Sequence, residues 1–184
     1  GSMIAVLRMD KSKLQELCRE LEVYPVNYNC PGQIVVSGEK SKIEKLKEEL
    51  SELKVRFVEL PVGGPFHTPF MKGAAKNLKE DFKEGKNYNL KKASVPLYAN
   101  KTAMPYSDDE QEMIDTISDQ VCNSVMWEET LLNMAKDGVD SFIECCPGKP
   151  FSGFVKRTVE GAKIYSINDM DSLQNVIREL GKNA

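Results

Sequence analysis

The sequence has little that would suit it to nucleic acids or membranes. Acidic residues (28) outnumber basic residues (25), so the formal net charge is −3, whereas nucleic-acid backbones are bound by strongly basic surfaces. No apolar run approaches the roughly 20 residues that a membrane-spanning helix requires, and no secretory signal opens the chain. We therefore expect no nucleic-acid partner and no membrane span.

Cysteine and histidine are also scarce. The five cysteines are odd in number and lack the spacing of a disulfide framework, which indicates a reducing compartment and predicts a cytoplasmic location. No Cys-x-x-Cys pair is present, and the adjacent Cys145 and Cys146 have no histidine partner nearby, so we predict no metal site and interpret the pair as structural. Gly148-Lys149 lacks the rest of a phosphate-binding loop.

The residues that are present suit a folded domain, since 41% are hydrophobic and 29% are charged. In the first 60 residues, short apolar runs alternate with helical patterns in the order β-α-β-β-α-β, which predicts a ferredoxin-like fold. Asp10 is a candidate N-cap, Cys30-Pro31-Gly32 a hairpin turn, and Ser41 with Glu44 a capping box. The predicted strands are 3–9, 23–29, 33–37 and 55–60.

Beyond Gly63-Gly64, strands alternate with helices, which indicates parallel pairing and an α/β layer. Three strands are few for an isolated sheet of this kind, so we expect this part to belong to a larger layer and to expose apolar surface. Predicted strands cover 95–99, 141–145 and 163–166, and predicted helices 69–84, 108–121, 127–136, 151–159 and 169–180.

The only histidine, His67, lies in the stretch Val-Gly-Gly-Pro-Phe-His-Thr-Pro-Phe-Met of residues 62–71. Imidazole exchanges protons near neutral pH, which makes a loop histidine a candidate general base. Taken alone, such a residue is more often packed or facing solvent.

Four stretches, taken in order and spacing, resemble the malonyl-CoA:acyl carrier protein transacylases. They are "NYNCPGQIVVSG" (27–38), "LPVGGPFHTPFMKGAA" (60–75), "VPLYANKTA" (95–103) and "NSVMWEETLLNMAKDGVDSFIECCPGKPFSGFVKR" (123–157). The resemblance implies a ferredoxin-like small subdomain at 1–61, followed at 62–184 by the C-terminal portion of an α/β-hydrolase-like acyltransferase domain.

The family's nucleophilic serine, in a Gly-His-Ser-x-Gly elbow, has no counterpart in this sequence. The glutamine segment of the family's oxyanion hole and the arginine that pairs with the malonyl carboxylate are also missing. The resemblance therefore implies that an N-terminal half carrying the serine is a partner of this chain. Gly1-Ser2 is either the remnant of a tag or native sequence.

Within the resemblance, His67 matches the catalytic histidine, and Gln120 the residue whose backbone carbonyl accepts a hydrogen bond from it. The alternative for Gln120 is a solvated glutamine near a helix end. Phe66 matches a bulky residue beside the thioester, where it would exclude an α-methyl branch, and its alternative is core packing. Asn29 is a candidate donor to the thioester or carboxylate, and its alternative is turn stabilisation.

The function implied is transfer of malonyl from coenzyme A to the phosphopantetheine thiol of an acyl carrier protein, in fatty acid or polyketide synthesis. It requires malonyl-CoA as substrate and no further cofactor. The first alternative is a non-catalytic module that binds the carrier or another partner, and the second is slow thioester hydrolysis, which would be weak without an oxyanion hole. Scattered basic residues could steer an acidic carrier: Lys72, Lys76, Lys149, Lys156 and Arg157.

Overall fold

The computed structural model describes residues 1–85 and 88–181. Contacts between residues group the chain into two compact units, Gly1–Thr130 and the residues from Leu131 onward. The predicted boundary between residues 61 and 62 lies inside the first unit and stays a prediction. Positions 86, 87 and 182–184 of the predicted second domain lie outside the described residues.

A four-stranded antiparallel sheet with two helices forms the first part of this unit. The strands lie in the order β2-β3-β1-β4, and each neighbouring pair is antiparallel. This is the split βαβ arrangement, so the predicted β-α-β-β-α-β order is confirmed. The elements are β1 (Ser2–Leu7), α1 (Lys11–Glu20), β2 (Tyr24–Cys30), β3 (Gln33–Gly38), α2 (Lys40–Glu52) and β4 (Arg56–Glu59).

Local sequence explains most of these boundaries. The Asp10 side chain accepts a hydrogen bond from the Lys13 backbone and caps α1, as predicted. The hairpin between β2 and β3 turns at Pro31-Gly32, and Gly32 has φ +75°, a conformation that favours glycine. The predicted capping box is wrong, because α2 begins at Lys40 and its N-cap, Glu39, makes no side-chain capping bond.

The two central strands of this sheet, β1 and β3, bury residues on both of their faces. On the helix-covered face, Ile4 and Val36 pack with Leu14 of α1 and Leu46 of α2. Successive strand residues point to opposite sides, and the other face accordingly presents a smaller buried cluster: Met3, Ala5, Val26 and Val35.

The regular elements described in the rest of the first unit are helices and 3-10 turns. The predicted helix from Pro69 begins as a 3-10 turn, Pro69–Met71, and continues as α3, Lys72–Glu84. Helix α4, Glu110–Asp119, ends in a second 3-10 turn, Gln120–Cys122. Helix α5, Trp127–Lys136, contains the division between the two units.

The strand predicted at 95–99 is wrong. The segment folds back on itself, since the Leu97 oxygen accepts from the Tyr106 nitrogen at 2.8 Å and the Ala99 nitrogen donates to Met104 at 2.9 Å. Only an isolated bridge joins Tyr98 to Pro105. The composition of residues 95–99 favours a strand, but no strand among the described residues pairs with this segment. Its backbone groups instead form hydrogen bonds within a local turn.

The second unit contains a two-stranded parallel sheet. Strand β5, Ser141–Cys145, pairs with β6, Lys163–Ile167, as the alternation of strands and helices predicted. Helices α6, Ser152–Thr158, and α7, Met170–Gly181, pack against β6.

Within residues 1–85 and 88–181, no helix is long and apolar enough to cross a bilayer. The cytoplasmic location stays a prediction.

Candidate active site

The histidine loop begins where the antiparallel sheet ends. The Leu60 nitrogen donates to the Met3 oxygen at 3.0 Å and continues the pairing of β4 with β1 beyond Glu59. The chain then leaves the sheet through Gly63-Gly64 and reaches the 3-10 turn at Pro69. His67 therefore lies in the loop between two elements with regular backbone hydrogen bonds, strand β4 and the 3-10 turn at Pro69.

Thr68 anchors the loop from inside. Its side chain is fully buried, and its hydroxyl donates to the Pro65 carbonyl at 2.5 Å. Gly1 lies against the same proline, because a Cβ built on Gly1 would be 2.5 Å from the Pro65 nitrogen. These contacts hold the backbone on both sides of Phe66 and His67.

His67 has an unusual backbone conformation. Its φ is +61°, in the left-handed region that few residues other than glycine adopt and where asparagine, aspartate and histidine are enriched. Such conformations cost about 1–3 kcal/mol and persist where the surrounding structure enforces them, often at functional sites. Here the buried Thr68 provides part of that enforcement.

Gln120 lies in the 3-10 turn that follows α4, and several bonds hold that turn. The Gln120 side-chain oxygen accepts from the Asn100 backbone nitrogen at 2.9 Å. Lys101 forms an ion pair with Asp119 at 2.5 Å, and the Asn123 side chain donates to the Asp119 carbonyl at 2.8 Å. The position of the Gln120 backbone carbonyl is thus determined by both neighbouring segments.

Residues 67 and 120 meet in a direct contact. His67 Nδ1 lies 2.9 Å from the backbone oxygen of Gln120. A carbonyl oxygen can only accept, so Nδ1 carries the proton and donates it. In the neutral ring this leaves the lone pair on Nε2, the nitrogen that a general base uses.

No nucleophile within the described residues is bonded to that ring. Among residues 1–85 and 88–181, no serine or threonine hydroxyl makes a hydrogen bond with His67. The arrangement therefore pairs an imidazole, which is chemically able to act as a base, with a carbonyl oxygen that fixes its orientation.

The two predicted substrate residues lie in different surroundings. Phe66 is 43% exposed, and its ring edge lies 3.3 Å from the position of a Cβ built on Gly64. Asn29 is half-buried in β2, at the register shift between Tyr28 and Cys30. In the part of the chain that the structure describes, it makes no hydrogen bond with the His67 ring or with Gln120.

Sequence reasoning missed the residues that support this contact. Thr68, Lys101 and Asp119 were not singled out, although a buried threonine next to a loop histidine is a local signal for a loop anchor. The ion pair joins positions 18 residues apart, and nothing in the local sequence indicates that pairing.

The fold and the site together form a split βαβ sheet followed by a loop whose histidine, in a left-handed conformation, is held by a backbone carbonyl. Comparison with known proteins gives the particular relatives. No family model matches the chain. The chain is 36% identical over 186 residues to "Malonyl CoA-acyl carrier protein transacylase" of Staphylococcus aureus strain MSSA476, covering 95% of this chain and 57% of that protein. The Bacillus subtilis strain 168 protein of the same name is 33% identical, covering 98% and 57%.

Solved structures agree with these relatives. The malonyl CoA-acyl carrier protein transacylase from Clostridium perfringens superposes with a TM-score of 0.90 at 32% identity, covering 98% of this chain and 57% of that one. A malonyl-transacylase in complex with a type II polyketide synthase acyl-carrier protein, PlMCAT:AntF, gives 0.90 at 26% identity, covering 97% and 58%.

The homologues of this chain are therefore malonyl-CoA:acyl carrier protein transacylases, and the predicted resemblance and fold class are confirmed. The chain spans about 57% of the length of the curated relatives it matches.

Proposed function

We propose that this chain supplies the acid–base part of a malonyl-CoA:acyl carrier protein transacylase, and that a segment outside it supplies the serine nucleophile. The observation that carries the proposal is the 2.9 Å contact between His67 Nδ1 and the Gln120 carbonyl. It orients an imidazole with a free Nε2 while no hydroxyl of the described residues is bonded to the ring.

His67 then moves one proton in each half-reaction. Nε2 removes the serine proton as the serine oxygen attacks the malonyl thioester, and the imidazolium returns that proton to the departing coenzyme A thiolate. In the second half, Nε2 takes the proton of the phosphopantetheine thiol, which attacks the malonyl ester, and the imidazolium reprotonates the serine. The Gln120 carbonyl stabilises the positive ring in both halves, without a carboxylate.

Phe66 and Asn29 are proposed to contact the acyl group. Phe66 directly precedes the base, and an aromatic ring there leaves little room for an α-methyl branch, which is worth about 1–3 kcal/mol of discrimination. Asn29 would donate to the thioester or carboxylate. A Phe66→Ala variant should therefore accept methylmalonyl-CoA better relative to malonyl-CoA.

The carrier protein is the proposed second substrate. Lys72 and Lys76 are exposed at the start of α3, directly after the histidine loop. Positive side chains there would speed encounter with an acidic carrier, and that effect weakens with salt. Carrier binding that does not change between low and physiological salt would count against this role.

A direct test joins the chain to the unmatched part of the Staphylococcus aureus relative. The joined protein should transfer malonyl to carrier, and His67→Asn should lower the rate by about 100- to 10,000-fold. Asparagine is suitable because it tolerates positive φ, so the fold should persist.

The outcomes separate the candidate functions. Full activity of the His67→Asn variant would contradict the proposal, as would a malonyl ester formed on this chain alone. Tight carrier binding without transfer by the joined protein would favour the non-catalytic module, whose supporting observation is the missing hydroxyl partner of His67 among the described residues.

A further inference from the structure

The five cysteines lie in three kinds of environment. Cys18 and Cys30 are buried, and burial raises the pKa of the Cys18 thiol to about 12. Cys122 is half-buried, with its thiol 3.6 Å from the Asp119 carbonyl. Cys145 is exposed, and its neighbour Cys146 is half-buried. Thus the exposed thiol, that of Cys145, belongs to a residue whose neighbour in the sequence is also a cysteine.

The two thiols lie at the end of β5, directly after Glu144, whose carboxylate accepts hydrogen bonds from the following turn. Glu144 Oε1 accepts from the Cys146 thiol at 3.4 Å and from the Phe151 nitrogen at 2.7 Å. Glu144 Oε2 accepts from the Ser152 nitrogen at 3.0 Å and from its hydroxyl at 2.5 Å. The Cys146 S–H is therefore one of the donors that close the turn onto Glu144.

The two sulfurs differ in a way that suits successive reactions. Desolvation and the Glu144 carboxylate raise the pKa of the Cys146 thiol, so Cys146 stays protonated and bonded. Cys145 is open to solvent and free to meet an oxidant first.

We propose that Cys145 and Cys146 form a reversible oxidation site for hydroperoxides. The Cys145 sulfur attacks the peroxide, whose O–O bond breaks, giving a sulfenic acid and water (or the corresponding alcohol). The Cys146 sulfur then attacks the Cys145 sulfur, and an S–S bond forms as the hydroxyl leaves with the Cys146 proton as a second water. Two thiols are oxidised and one peroxide is reduced.

The disulfide formed in this way is readily reversed. Consecutive Cα atoms are about 3.8 Å apart, closer than the roughly 4.4–6.8 Å of ordinary disulfides. Strained and exposed disulfides have more oxidising potentials and are the labile, regulatory ones. A small dithiol reductant would therefore restore both thiols.

Oxidation also removes a donor from the turn. Without its hydrogen, the Cys146 sulfur no longer donates to Glu144, and the strained ring repositions the backbone between β5 and α6. The amides of Phe151 and Ser152, which donate to the same carboxylate, should exchange faster in the oxidised protein.

The test treats the full chain with hydrogen peroxide and measures intact mass and peptide maps. The expected product is a monomer that has lost two hydrogen atoms, mapped to the peptide with Cys145 and Cys146 and reversed by dithiothreitol. Cys122→Ser should keep this loss, and Cys145→Ser and Cys146→Ser should each abolish it.

A second measurement keeps the proposal testable if one variant misfolds. Dimedone should trap a sulfenic acid on Cys145 in the Cys146→Ser variant. The proposal is overturned if the pair keeps both hydrogens, if Cys145 proceeds to sulfinic acid in the wild type, or if it links to Cys122 or to a second copy of the chain.

Discussion

At the scale of single residues, two side chains organise the two units of this protein. His67 sits in a left-handed conformation and is oriented by the Gln120 carbonyl. Glu144 is nearly buried and accepts from two backbone amides, a hydroxyl and a thiol. Each of these side chains is held by hydrogen bonds that can be tested individually.

The tautomer of His67 is directly observable, because the chain has one histidine. We expect the neutral ring to carry its proton on Nδ1, since the Gln120 carbonyl can only accept. Two-bond nitrogen–proton NMR spectra should show a protonated Nδ1 and an unprotonated Nε2. The reverse pattern would mean that the contact does not exist in solution.

Glu144 makes a pH-dependent contribution to stability. Desolvation alone would raise its pKa, but the Ser152 hydroxyl and the Phe151 amide outweigh it, so the pKa lies below its ordinary 4.5. A lowered pKa in the folded state adds stability at pH values above 4.5, and this contribution is lost as the pH falls through the folded value.

Glu144→Gln should therefore lower the free energy of unfolding by about 1–3 kcal/mol at pH 7, because the donors of Phe151 and Ser152 lose a charged acceptor. The difference from wild type should shrink as the pH falls below 4.5, measured by urea denaturation. Glu160→Gln, on an exposed residue, is the control. A difference that grows in acid would contradict the assigned hydrogen bonds.

At the scale of elements, the chain begins its helices in unequal ways. Helix α1 is capped by the Asp10 side chain, whereas the N-cap of α2, Glu39, makes no such bond. Both residues are exposed, which makes them a matched pair for measuring what a cap contributes.

Asp10→Ala should destabilise the first unit by about 1 kcal/mol, because the Lys13 amide loses its acceptor. Glu39→Ala should change the free energy of unfolding by less than about 0.5 kcal/mol. Chemical denaturation of the two variants decides this, and equal losses would show that the cap bond contributes nothing.

The segment 95–99 shows where element prediction fails. Its Val-Pro-Leu-Tyr-Ala composition is typical of a strand, yet only Tyr98 forms a bridge. Val95 and Leu97 are 69% and 60% exposed. A strand exists only when a second strand lies beside it, so composition indicates the tendency and the neighbourhood decides the outcome.

At the scale of the whole molecule, the two units differ in how completely their sheets are buried. The antiparallel sheet has buried residues on both faces. The parallel sheet has two strands, and parallel sheets are normally covered on both faces. In this unit Ile143 of β5 and Met170 and Ile177 of α7 are well exposed, at 46%, 67% and 59%.

Hydrogen exchange should follow that difference. We expect amides of β1 and β3 to exchange far more slowly than amides of β5 and β6, since an isolated two-stranded sheet opens locally at little cost. Exchange followed by mass spectrometry would measure this. Equal protection of the two sheets in a monomer would contradict the expectation that the second part belongs to a larger layer.

Features that depend on near neighbours could be predicted from the order of residues alone. Short apolar and β-like runs predicted the four strands of the first sheet, Asp10 the start of α1, and Pro31-Gly32 the hairpin, because a strand tendency, a cap and a turn are each decided within a few residues. The motif around His67 indicated the family through the order of its residues, and the roles of the four site residues stay predictions.

Contacts between separate segments became evident from the folded chain. The Lys101–Asp119 pair that holds the Gln120 turn, the closure of residues 146–152 onto Glu144, and the failure of 95–99 to pair were not evident from the sequence. Each depends on which segments lie side by side once the chain is packed, because polar and backbone groups pair with whatever partner the fold brings near them, and the local sequence does not specify that partner.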